Sequence, residues 1–131
     1  MKKIIFTVFA IMACIGTVYA QSARQSLGTF GNWTAYKMEE NGQKVCYMAA
    51  IPEKSSGKYT KRGEVFLIVS HRPKQKTFNT VSLTAGYTYK KNSDVKVQID
   101  KKPEIELFTS GDTAWAFTSA QDHQMVSLMR A

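Results

Sequence analysis

Two cysteines and two histidines are the side chains of this 131-residue chain with the most direct nucleophilic or metal-binding chemistry. Cys46 lies in VCYM, and Cys14 lies inside an apolar N-terminal stretch. His71 follows an apolar run, and His123 sits near the start of a helical pattern. A metal centre needs clustered His, Cys or carboxylate ligands, and no such spacing occurs. A Cys–His nucleophile pair needs the two groups side by side, and Cys46 and His71 both fall on strand positions, so the pair is one reading. The competing reading is structural. Cysteine is among the most buried residue types, and a reactive thiolate needs an accessible, electropositive setting. The structural reading is favoured. No Ser-His-Asp set, phosphate loop, paired carboxylates or cofactor motif stands out, so neither an enzyme nor a cofactor is expected.

Two basic stretches offer contact chemistry instead. Lys54, Lys58, Lys61 and Arg62 form one, and Arg72, Lys74 and Lys76 the other, with Tyr59 and Phe78 among them. Single-strand nucleic-acid binders combine positive grooves with stacking aromatics, but export argues against a nucleic-acid partner. An anionic envelope surface suits the same residues, and a solvated loop on a basic protein is the plain alternative.

Export is read from the first twenty residues. Lys2 and Lys3 precede an apolar run from Ile4 to Val18, and Val18-Tyr19-Ala20 presents the small residues of a cleavage site. The run is short of the roughly 20 residues of a membrane-spanning helix. Lipidation at Cys14 is a second reading. Cleavage after Ala20 leaves a domain of 111 residues with 16 basic and 10 acidic side chains, enough for one core. That surface favours anionic partners, and the mature chain has no membrane span.

The elements that must position these residues read as strands. Thr29–Lys37 and Gln43–Ile51 flank an Asn41-Gly42 turn, as in a hairpin. In the second of them Val45, Tyr47 and Ala49 share one face, and Cys46 and Met48 the other. Pro52–Gly63 is polar and reads as a surface loop. Glu64–His71 is nearly all apolar, as in a strand buried on both faces. Thr77–Tyr89 is β-rich, with a bend or bulge at Gly86. Asp94–Asp100 and Glu104–Phe108 alternate strictly, and Thr113–Thr118 follows the Ser110-Gly111-Asp112 turn. From Ser119 the period changes to that of a helix, capped by Ser119 with Asp122 three residues on and with Met125 and Met129 inward. Trp33 and Trp115 are expected in the core or at its rim. The fold class is therefore all-β: an antiparallel sandwich or partly closed barrel with one short C-terminal helix.

Several segments in order resemble the bacterial invasion-associated locus B family: FGNWTAY, KVCYMA, KRGEVFLIVSHRP, VSLTAGYTYKK and LFTSGDTAWA, then MVSLMRA. The resemblance covers Phe30 to Ala131. It implies an exported, non-catalytic protein, periplasmic or secreted and with an outer-membrane association as an option. It implies no catalytic residue to carry over. Such a protein is expected to bind an envelope or host protein, or an anionic surface, with a role in host-cell or surface interaction. A barrel-type module for a small or lipidic ligand is the alternative. The family pattern also continues beyond the helix, so a C-terminal part is expected to be missing here. The resemblance places a disulfide partner for Cys46 in that part, and missing strands would leave sheet edges open and the 131-residue form poorly soluble.

Overall fold

The computed structural model describes residues 23–130. The expected leader over residues 1–20, its cleavage site and Cys14 lie outside the described residues. The chain forms β1 (Gln25–Phe30), β2 (Trp33–Glu40), β3 (Gln43–Ala50), β4 (Phe66–Arg72), β5 (Thr77–Thr84), β6 (Asp94–Val97), β7 (Ile105–Ser110), β8 (Thr113–Trp115) and α1 (Ser119–Met129). One eight-stranded sheet results, in the order β1-β2-β3-β4-β5-β8-β7-β6, with every pair antiparallel. Among the described residues β1 and β6 are the edge strands, and the sheet is not closed.

The all-β antiparallel reading with a terminal helix holds, and the structure refines it. β1 was not anticipated: QSLGTF has weak strand character and gains its conformation by pairing with β2 across a register shift at Ser26/Gly28. The chain does not meander throughout. After β5 it crosses to the far edge, lays down β6 and β7, and returns β8 beside β5. The crossing segment is tied to the β7–β8 turn by Ala85 N donating to Asp112 O at 3.1 Å and Tyr89 N donating to Gly111 O at 2.9 Å. These bonds satisfy backbone groups that no strand partner reaches.

Strand alternation sorts the side chains onto two faces. On one face Val69, Val81, Ile105, Leu107 and Ala114 meet Met125 and Val126 of α1. Leu107, Met125 and Val81 are fully buried, each contributing on the order of 2 kcal/mol by removal from water. Trp33 and Met129 pack against this core, as anticipated.

The helix start differs in detail. Thr118, not Ser119, is the N-cap, and its hydroxyl accepts from Gln121 N at 3.2 Å. Gln121 returns the contact, its Oε1 accepting from Phe117 N at 2.8 Å. Reciprocal bonds of this kind satisfy the open donors of a first turn. Asp122 is thereby released from capping and turns inward, where Oδ1 accepts from Val81 N at 2.8 Å.

Candidate functional site: the open face of the sheet

Among the described residues the helix covers one face of the sheet, and no element covers the other. Register places Tyr36 opposite Tyr47, Tyr47 opposite Ser70, Ala49 opposite Ile68, and Ser82 opposite Trp115. All lie on the face away from α1. They line a half-open groove of about 490 Å³ whose apolar floor includes Val45, Tyr47, Phe66, Ile68 and Trp115. The apolar run of β4 explains this. Its alternate residues Leu67 and Val69 join the helix-side core, while Phe66 and Ile68 point into the groove. The strand reads as buried on both faces, and among the described residues one face has a cover.

Aromatic and charged contacts hold the groove walls. The Tyr36 and Tyr47 rings stack with centroids 5.1 Å apart, and the Arg24 guanidinium lies 5.3 Å above Tyr36. At one end Arg72 bridges to Glu40 at 3.2 Å and donates to Ser70 Oγ at 3.3 Å. Glu64 lines the groove near the other end. The rim therefore carries Arg24 and Arg72 against Glu40 and Glu64, balanced charge around an apolar floor. Apolar clefts with a few fixed polar groups are the usual form of a binding site.

Trp115 belongs to this groove and not to the core, in contrast to Trp33. Nothing in local sequence distinguishes the two tryptophans. The alternation of Val45, Tyr47 and Ala49 gave the face of β3, but which face is covered depends on where α1 docks.

Cys46 is a half-buried free thiol directly opposite His71 across the β3–β4 ladder. It sits on the helix-side face of the sheet, away from the groove. Asn79 N donates to His71 Nδ1 at 3.1 Å, so in the neutral ring the proton resides on Nε2. The basic residues divide. Lys54, Lys58, Lys61 and Arg62 lie in the β3–β4 loop, whereas Arg72, Lys74 and Lys76 surround the 3-10 turn Pro73–Gln75 at the opposite end of β4. Among the described residues no group of three His, Cys, Asp or Glu side chains is placed to hold a metal ion. No helix among them is long and apolar enough to cross a membrane.

Residues 33–131 match the family model described as Invasion associated locus B (IalB) protein. No curated protein and no solved structure matches the chain.

Proposed function

The chain belongs to the invasion associated locus B family, and on that premise we propose that it is an exported, non-catalytic envelope protein that binds a protein or surface component through the open face of its sheet. The observation carrying this reading is the uncovered groove over β2, β3, β4, β5 and β8, floored by Tyr47, Phe66, Ile68 and Trp115. Leaving such a surface in water forgoes about 25 cal/mol for each Å² of apolar area, and an occupant recovers that free energy. The balanced rim charges would orient the occupant without selecting strongly for either sign.

The test is site-specific photocrosslinking from Tyr47 in cells, with Lys96 on edge strand β6 as the control position. Recovery of one defined partner from Tyr47 and not from Lys96 supports the reading. The same products from both positions, or none from Tyr47, oppose it.

The groove volume also lies within the range of small-ligand sites, which favours a second reading: a single apolar or lipidic molecule on the same floor. Trp115 then reports binding. Saturable quenching of its fluorescence by a medium-chain fatty acid, lost in Ile68→Asp, would support this reading over a protein partner.

A further inference from the structure

The sheet has two ends, and they differ. One end gathers the β1–β2 turn, the β3–β4 loop, the crossing segment after β5 and the β7–β8 turn. Asn32 Nδ2 donates to Glu53 Oε1 at 2.5 Å, Gly63 N to Gly86 O at 2.7 Å, and Tyr89 N to Gly111 O at 2.9 Å, so these segments form one connected surface. The other end carries the Asn41-Gly42 turn, the Pro73–Gln75 turn and the β6–β7 connection.

Both ends are basic, but exposed apolar side chains concentrate at the first. Ile51 is 76% exposed, Phe30 68%, Tyr87 45% and Tyr59 44%, whereas toward the opposite end, among the described residues, the large exposed hydrophobics are Phe78 at 46% and Phe117, past the end of β8, at 57%. Lys54, Lys58, Lys61, Lys90 and Lys91 are all exposed in the loops that carry these side chains. The acids of the same end are Glu53, held by Asn32, Glu64 beside the groove, Asp94 at the foot of β6, and Asp112 in the β7–β8 turn. The lysines occupy the loops themselves, and three of the four acids lie at or beside strand ends.

The loop is also held in shape. The Arg62 guanidinium sits 5.1 Å from the Tyr59 ring centroid and 5.5 Å from that of Tyr87, and its Nε donates to Ala85 O at 2.8 Å. Fixing loop and crossing segment together before contact lowers the ordering cost of binding.

We propose that this end docks on an anionic lipid bilayer, with Ile51, Phe30, Tyr59 and Tyr87 at headgroup depth and Lys54, Lys58, Lys61, Lys90 and Lys91 against lipid phosphates. This deepens the envelope reading by naming a surface; it adjoins one mouth of the groove, where Ile51 lines both. Exposed apolar and aromatic tips interleaved with lysines are the features that interfacial binding uses. An anionic leaflet attracts each nearby lysine by about fivefold in partitioning. The exposed apolar tips explain why this end, and not the equally basic opposite one, meets the membrane.

The experiment is vesicle cosedimentation of the processed protein, using phosphatidylglycerol–phosphatidylcholine vesicles and pure phosphatidylcholine vesicles. Three variants are compared after circular dichroism confirms folding. They are the triple Lys54→Glu, Lys58→Glu, Lys61→Glu; the triple Lys74→Glu, Lys76→Glu, Lys101→Glu at the opposite end, with the same change in net charge; and Ile51→Ser. The loop triple should weaken partitioning at least about 30-fold and the opposite triple by no more than about threefold. Ile51→Ser should weaken it severalfold, and phosphatidylcholine alone should bind little. Equal losses in the two triples, or equal binding to neutral vesicles, would overturn the proposal. A fourth variant, Tyr47→Asp in the groove, checked for folding in the same way, should leave vesicle binding intact. If it abolishes binding while the loop triple does not, the lipid contact belongs to the groove and the docking end is wrong.

Discussion

Cys46 and His71 face each other across the β3–β4 ladder, yet the ring nitrogen that could serve as a base is already engaged. His71 Nδ1 accepts from Asn79 N, and Asn79 needs that bond because it sits in a left-handed conformation with φ of 58° that breaks the ladder locally. The pair is thus a piece of backbone accounting at the β4–β5 connection. His71→Ala should cost about 1–2 kcal/mol by stranding the Asn79 N–H. Cys46→Ala removes a half-buried sulfur and should cost less, under about 1 kcal/mol. Urea unfolding of both variants checks the order, and the reverse order would mean that the thiol carries more of the packing than its exposure indicates.

Asp122 makes a buried polar link between α1 and the sheet, accepting from the strand N–H of Val81. Burial raises its pKa above the ordinary carboxylate value and outweighs the Val81 N–H and the nearby His123, which both lower it. In the window between the ordinary value and the raised one, the folded chain holds a proton that the unfolded chain has lost. This group's contribution is therefore fully present below the ordinary carboxylate pKa and fades as pH rises through the folded one. Asp122→Asn keeps an acceptor for Val81 and carries no charge. It should equal or exceed the parent at neutral pH, with the parent gaining on it as pH falls below that window's upper edge. Asp122→Ala leaves the buried N–H unpaired and should lose about 1–3 kcal/mol at any pH. Thermal melts from pH 3.5 to 7 separate the two variants; parallel curves for parent and Asp122→Asn would contradict the assignment.

How much of this was legible in the sequence follows from how local each feature is. Val95 and Val97, Ile105 and Leu107 declare their faces by alternation, because neighbouring residues alone decide which side of a strand is apolar. The helix from Ser119 was legible for the same reason, though its cap lies one residue earlier because Thr118 and Gln121 complete the reciprocal pair. β1 and the crossing after Thr84 were not legible, since both depend on pairing with segments distant in sequence. The groove was half legible: Tyr47, Phe66 and Ile68 are visibly apolar, but only the docking of α1 on the opposite face leaves them open.

Gly86 and Gly42 both have positive φ, at 75° and 69°, and only Gly86 is crowded. A Cβ on Gly86 would lie 2.5 Å from Gly63 O, whereas one on Gly42 would meet nothing within 4 Å. Gly42→Ala should cost about 1 kcal/mol, the strain of a left-handed alanine. Gly86→Ala adds a backbone clash and should cost at least about 2 kcal/mol more than that. Melting temperatures of the two variants measure the gap directly, and equal losses would show that the Gly63–Gly86 approach relaxes freely.

Arg62 fixes the β3–β4 loop by three contacts at once, the Tyr59 and Tyr87 faces and the Ala85 carbonyl. Tyr89 packs edge-on against Tyr87, ring centroids 5.4 Å apart, and burial above all raises its hydroxyl over the ordinary tyrosine value. A lysine at position 62 keeps the charge but cannot stack as a plane on both rings while bonding a carbonyl. Arg62→Lys and Arg62→Ala should therefore both release the loop, while the core of Val81, Leu107 and Met125, which Arg62 does not join, stays intact. Local opening of this kind raises proteolysis without a matching fall in global stability. Trypsin cleavage after Lys54, Lys58 or Lys61, followed by mass spectrometry, should speed up on the order of tenfold in both variants, with each melting temperature within a few degrees of the parent, as expected for a loss of about 1 kcal/mol. Unchanged cleavage in Arg62→Ala would mean that the Gly63–Gly86 bond alone holds the loop. A large drop in melting temperature would mean that loop and core unfold as one unit.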